Sequence, residues 1–139
     1  MARLIRDVMT AKPKTLAGSA TLAEAARVMR QEDIGDVLVV DDGKPCGIVT
    51  DRDIVVRGIA AGKDPGQTAV KDIASKDVVT LGPDDSIDEA IRLMREHAVR
   101  RIPVMESGKP VGIVSLGDLA VERDQRSVLG QVSAAPPNK

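Results

Sequence analysis

Apolar positions along the chain fall into two patterns, each used twice. Leu22, Ala25, Ala26 and Met29 recur at helical spacing behind Thr21 and Glu24, a Thr-x-x-Glu pair that opens a helix. Ile87, Ala90, Ile91 and Met94 repeat that spacing behind Ser86 and Glu89. Both helices are expected to end within a few residues of Met29 and Met94. A continuous apolar run follows each: Val37-Leu38-Val39-Val40, then Ile102-Pro103-Val104-Met105. Such runs read as strands covered on both faces. Pro103 has no amide donor, which restricts its strand to an edge or a strand end. The turn clusters Asp41-Asp42-Gly43-Lys44 and Glu106-Ser107-Gly108-Lys109 join each strand to a second, ending at Thr50 or Ser115, as a hairpin. A second helix is expected from Asp51 to about Ala61, and from Leu116 to about Arg123. Ile5 to Met9 reads as a short helical turn, and Lys14-Thr15-Leu16 as a short extended piece. Each copy is therefore β-α-β-β-α, a mixed α/β (α+β) class.

The copies are related by a shift of 65 residues, without a gap from Ile5/Val70 to Ile54/Leu119. Asp7 matches Asp72, Thr15 matches Thr80 and Glu24 matches Glu89. The expected organisation is repeat 1 over 5–62, a turn-rich linker over 63–69, repeat 2 over 70–123 and an extension over 124–139. In that extension, residues 124–131 could lengthen a helix, and residues 134–139 are expected to be disordered. A repeated unit that cannot close its own core packs against its copy.

The candidate chemistry lies where each hairpin runs into its second helix. Gly47-Ile48-Val49-Thr50-Asp51-Arg52-Asp53 returns as Gly112-Ile113-Val114-Ser115-Leu116-Gly117-Asp118. The glycine lets another backbone or a ligand come close. The hydroxyl stands at a helix N-cap, where unpaired N–H groups favour anions. The Asp three residues on can accept two hydrogen bonds from a diol. Hydroxyl, N–H groups and carboxylate together suit a ribose bearing phosphate. The same Ser/Thr-x-x-Asp spacing is also a helix capping box, and the residues alone leave both readings open.

Composition narrows the partners. Net charge is −1 with scattered Lys and Arg, which lacks the basic stripe of a nucleic-acid binder. The chain has no Phe, Tyr or Trp, so its core is aliphatic and bases have no aromatic platform. A lone cysteine, Cys46, excludes an internal disulfide, and reads as a small packed residue rather than a reactive thiol. His97 is the single histidine, a poor start for a metal site. It also has no sequence partner for nucleophilic catalysis, and no phosphate-loop or dinucleotide fingerprint occurs. The reading is no enzyme, no resident metal, no nucleic acid and no membrane partner. Neither a signal peptide nor a spanning run is visible, which points to the cytoplasm.

Ile5-Arg6-Asp7-Val8-Met9-Thr10, Leu22-x-x-Ala25-x-x-x-Met29 and the Gly47 run, with their copies from Val70, Ile87 and Gly112, resemble the CBS-domain family. The resemblance is to a tandem pair, a Bateman module, over roughly residues 5–123. The run from Thr50 to Pro65 is similar to stand-alone actinobacterial pairs of the hypoxic-response type. Some such relatives hold a cysteine pair, which this chain lacks. The resemblance implies two βαββα repeats packed through their sheets with pseudo-two-fold symmetry. It implies two clefts between the repeats for an adenosine-containing ligand, such as AMP, ADP, ATP or S-adenosylmethionine. It also implies a homodimer through the CBS helices.

Carried onto this chain, Ser115 and Asp118 would form one cleft, with Ile102 on its strand, completed by residues from Thr10 to Lys14. Thr50 and Asp53, with Val37, would form the other, completed by residues from Ser75 to Val78. Arg101 holds the position where some nucleotide-binding relatives place a phosphate-binding residue; its counterpart is Asp36. A guanidinium pairs with phosphate where a carboxylate repels it. The Ser115/Asp118 cleft is therefore expected to prefer phosphorylated nucleotide, and the other cleft to be empty or to take a less anionic ligand. The rival expectation is a ligand-free dimeric interaction protein of stress response, with both motifs acting only as caps.

Overall fold

The computed structural model describes residues 3–76 and 78–123. The expectations placed on Asp77 and on residues 124–139 lie outside them. The first copy runs through α1 (Ile5–Val8), β1 (Thr10–Ala11), β2 (Thr15–Leu16), α2 (Leu22–Glu32), β3 (Asp36–Asp41), β4 (Lys44–Thr50) and α3 (Asp51–Asp53). After α3 the chain continues as π-helix over Ile54–Ile59. The second copy has a 3-10 turn (Val70–Asp72), α4 (Ile87–His97), β5 (Arg101–Glu106), β6 (Lys109–Ser115) and α5 (Leu116–Arg123). The α/β repeat pattern of the sequence is thus present twice. In the second copy the opening strand shrinks to one parallel bridge, Leu81 with Val104. Its counterpart, β2, pairs in parallel through Leu16 and Val39.

The chain divides into two compact units, offset from the sequence repeats. Residues 13–76 and 78 form one, here the Thr50 unit; residues 3–12 with 79–123 form the other, the Ser115 unit. In the Thr50 unit the sheet order is β2-β3-β4, and in the Ser115 unit β1-β6-β5. β5 is the last strand of its sheet, met on its far side, among the described residues, only by the Leu81 bridge at Val104, which suits Pro103. Each repeat's opening segment has changed places. β1 of the first copy pairs with β6 of the second, Thr10 opposite Ile113 and Ala11 opposite Gly112. Reciprocally, Ser75 bridges Ile48, with Ile48 N donating to Ser75 O at 3.2 Å and Ser75 N to Ile48 O at 3.0 Å.

The cores record the same exchange. Leu22, Ala25, Met29, Val37, Val39, Val49 and Ile54 are completed by Val70, Ile73 and Ala74 from beyond the linker. Ile87, Ala90, Met94, Ile102, Val104, Val114 and Leu119 are completed by Ile5. Every one of these side chains is aliphatic or a methionine, as a chain without aromatic residues requires. The repeated glycines meet the exchanged segments: a Cβ on Gly47 would lie 2.8 Å from Ser75 O, and one on Gly112 3.0 Å from Thr10 O. At Gly47 the nearest neighbour is backbone, and at Gly112 it is the Met9 side chain together with the Thr10 carbonyl.

Helix starts follow the hydroxyl signals, but neither Glu24 nor Glu89 makes the return bond of the expected capping box. Thr21 Oγ1 accepts from Glu24 N at 3.2 Å and Ser86 Oγ from Glu89 N at 3.1 Å. The return half of the box is not made at Glu89, whose carboxylate turns to Arg92, one helical step on. A guanidinium within reach offers a charge-assisted bond that a single backbone amide does not match.

Candidate functional site

In the Ser115 unit, β6 ends at Ser115, which caps α5. Ser115 Oγ accepts from Asp118 N at 3.1 Å, and Asp118 Oδ2 accepts from Ser115 N at 2.9 Å. The box is closed, yet it uses one oxygen of the Asp118 carboxylate and leaves Oδ1 to other donors. Among the described residues Asp118 makes no ion pair. The first helical amide, Leu116 N, is taken by Arg100 O at 2.8 Å. The next, Gly117 N, donates to nothing among the described residues, and its own residue brings no side chain. Arg101 stands directly opposite Ser115 in the β5–β6 ladder. Thr10 is exposed on β1 at the other side of β6. A half-buried carboxylate oxygen, an open amide at the start of an eight-residue helix and a guanidinium across the ladder thus belong to one unit.

The Thr50 unit repeats the box: Thr50 Oγ1 accepts from Asp53 N at 3.0 Å, and Asp53 Oδ2 accepts from Thr50 N at 2.9 Å. Its surroundings differ. Asp36, not an arginine, faces Thr50 in the β3–β4 ladder. Asp51 N is taken by Gly35 O at 3.0 Å, and Arg52 N by the Asp51 carboxylate at 2.8 Å. Arg57 reaches within 3.9 Å of Asp53 Oδ1. Ser75 is exposed beside β4 in the same unit.

The remaining residues expected at these sites are placed as follows. Val37 and Ile102 have side chains fully buried in their cores. Lys14 lies in the Thr50 unit, where its carbonyl accepts from Leu38 N and its ammonium pairs with Glu32 at 3.2 Å. The structure therefore brings Thr10, Arg101, Ser115 and Asp118 into one unit, and Lys14, Ser75, Thr50 and Asp53 into the other. Because the opening segments are exchanged, each set joins residues of both repeats. Sequence reasoning passed over Asp51, Arg57 and Gly117. Their signal was present as mismatches in the repeat: Asp51 against Leu116, Arg52 against Gly117 and Arg57 against Glu122.

A cavity of about 350 Å³ in the Thr50 unit lies elsewhere, at the hairpin end of the sheet, lined by Val39, Asp41, Cys46, Lys71, Asp72, Ala74 and Lys76. There Asp41 Oδ1 accepts from Gly18 N at 2.9 Å and the Cys46 thiol rests on Asp41 Oδ2 at 3.6 Å. Loss of hydration, then the Asp41 charge, pushes the Cys46 thiol up from its ordinary range. Among the described residues no three His, Cys, Asp or Glu side chains gather as a metal cluster would require. No described helix is long and apolar enough to cross a membrane.

Residues 5–58 and 70–124 each match the CBS domain model. The chain belongs to the CBS-domain family. This CBS pair is 41% identical over 119 residues to the CBS domain-containing protein YhcV of Bacillus subtilis, covering 86% of this chain and 84% of that one. It is 37% identical over 130 residues to hypoxic response protein 1 of Mycobacterium tuberculosis, covering 93% and 91%. Relatives matched over so much of their own length are scarcely longer than the pair itself. A crystal structure of Hypoxic Response Protein I with two coordinated zinc ions superposes with a TM-score of 0.73 at 38% identity, covering 86% of this chain and 98% of that one. The CBS pair of protein MJ0100, solved with 5′-methylthioadenosine and S-adenosyl-L-methionine, has a TM-score of 0.78 at 24% identity, covering 91% and 100%. That last likeness is one of fold, and the fold is the CBS-pair fold.

Proposed function

We propose that this CBS pair is a non-enzymatic cytoplasmic sensor that binds an adenosine-containing ligand of the AMP, ATP or S-adenosylmethionine class, through Asp118 and its surroundings. The observation that carries the reading is the unspent half of the Asp118 carboxylate. The capping box consumes Oδ2 alone and leaves Oδ1, with Gly117 N–H next to it in the chain and Arg101 opposite Ser115 in the ladder. A ribose diol donates to a carboxylate, and a phosphate accepts from a helix amide and a guanidinium. Ligand held there would tie residues of both repeats together, so occupancy and folding are linked.

The test is a melting screen with AMP, ATP, S-adenosylmethionine and NAD. A ligand at about 100 times its dissociation constant stabilises its host by about 2.7 kcal/mol. For a chain of this size that is a shift of about 5–10 °C. Asp118→Asn keeps an oxygen for Ser115 N–H but removes the charge that a diol recognises. Calorimetry should show binding to wild type and a loss of at least about tenfold in the variant, as expected for one charged hydrogen-bonding partner. Equal affinity would refute the assignment.

A second reading, a ligand-free dimeric interaction protein, is favoured by a different observation. Val55, Val56 and Ile59 are 59%, 45% and 52% exposed along one helical stretch. An apolar stretch of this kind supports a homodimer through helices. If no nucleotide shifts melting while Val56→Lys converts a dimer to monomer by light scattering, this reading replaces the first.

A further inference from the structure

We infer that Asp51 and Arg57 are specificity-determining residues that close the Thr50/Asp53 site with the chain's own charges, so that each chain holds one working site. The inference rests on the proposed ligand role of Asp118. Both units build the same capping box, to within 0.1 Å in each bond. The difference lies in what each box leaves over. In the Ser115 unit it leaves a carboxylate oxygen and a helix amide without partners among the described residues. In the Thr50 unit the amide is taken from within and the open oxygen faces a guanidinium at ion-pair range. The Asp51 carboxylate accepts from Arg52 N at 2.8 Å, the place an anion would take on the corresponding Gly117 amide. It also packs over Gly35, whose Cβ position is 3.3 Å from Asp51 Oδ2. Arg57 approaches Asp53 Oδ1 at 3.9 Å, the oxygen the box leaves open.

The repeat supplies an internal control. The counterpart of Asp51 is Leu116, which has no acceptor to place on an amide. The counterpart of Arg52 is Gly117, which bares the amide. The counterpart of Arg57 is Glu122, which cannot pair with Asp118 and is itself drawn to Arg3 at 3.1 Å. All three exchanges act in one direction. Asp53 sits at 17% side-chain exposure and Arg57 at 52%. The guanidinium is therefore free to cover the carboxylate yet is held only by a surface-grade ion pair. Removing it costs the fold little, which makes the inference testable.

The experiment isolates the Thr50 unit with Asp118→Asn and titrates adenosine and AMP by calorimetry. Wild type should bind one equivalent per chain, and Asp118→Asn should bind neither probe measurably. Adding Asp51→Leu, the residue found in the other copy, and Arg57→Gln should restore adenosine binding at least about tenfold, with AMP trailing because Asp36 remains. Restoring Asp118 to those two changes should raise the count to two equivalents of adenosine. A further Asp53→Asn should erase the gain, and circular dichroism confirms that each variant is folded. Two equal sites in wild type, or a folded triple variant as silent as Asp118→Asn while wild type binds one equivalent, overturns the closure and leaves the proposed function standing. No binding to wild type overturns the proposed function and the closure with it.

Discussion

Replacing Gly47 by alanine tests the exchange of opening segments directly. A methyl at that position would stand 2.8 Å from Ser75 O and 3.0 Å from the Ala74 Cβ. Neither neighbour is the flexible end of a side chain. Ala74 is 4% exposed and part of the core, so the segment cannot slide aside without opening it. Relief requires lengthening the two backbone hydrogen bonds between Ile48 and Ser75, now 3.2 and 3.0 Å. Each such bond contributes about 1 kcal/mol, and overpacking adds about 1 kcal/mol more, for a cost of about 2–3 kcal/mol. At about 2–4 °C per kcal/mol the melting temperature should fall by about 4–12 °C. Gly117→Ala is the matched contrast. Its Cβ would meet only Ser115 Oγ at 3.6 Å, inside the first turn of α5. There alanine should raise stability by about 0.5–1 kcal/mol through helix propensity. Thermal unfolding followed by circular dichroism reads both. If Gly47→Ala melts within a degree of wild type, the close approach of residues 74–75 is not what selects glycine.

Three further expectations follow from particular side chains. Ala98 ends α4 in the left-handed region at φ 54, so Ala98→Gly should gain about 0.5–1 kcal/mol in urea unfolding; a loss would mean the turn is not strained. Glu89 is held below the ordinary carboxylate range by its Arg92 hydrogen bond, then by the Arg92 charge. Its contribution is present at neutral pH, above the unfolded carboxylate value, and is lost as pH falls through the lowered folded value. The melting gap between wild type and Glu89→Gln should therefore close toward pH 3, and a gap independent of pH would contradict the pairing. Cys46, pushed up by lost hydration and then by Asp41, should react with iodoacetamide at pH 7.5 more slowly than free cysteine, and Asp41→Asn should speed it. Equal rates in wild type and variant would remove Asp41 as a cause.

Much of the molecule was legible along the chain because its signals are local. Helix starts are written by Thr21 and Ser86, hairpins by the turn clusters before Lys44 and Lys109, and both caps by Thr50 with Asp53 and Ser115 with Asp118. Each depends on residues at most a few positions apart, and the 65-residue repeat doubles the evidence. Even the contrast of Arg101 with Asp36 could be read as a mismatch between copies.

Tertiary structure decided the rest, because a repeat is blind to which copy a segment joins. Ile5 and Val70 occupy equivalent positions, and either could have closed either core; folding placed Ile5 with Leu119 and Val70 with Leu22. The same ambiguity hid why Gly47 and Gly112 are glycines, since the backbone pressing on them arrives from the other repeat. The inequality of the two sites is of the other kind: Asp51 meets the next amide and Arg57 a carboxylate one turn back, and both stand in the sequence as mismatches between the copies. Sequence set the elements, the paired motifs and their unequal neighbours through short-range chemistry; long-range packing chose which repeat completes each core and which segment presses on each glycine.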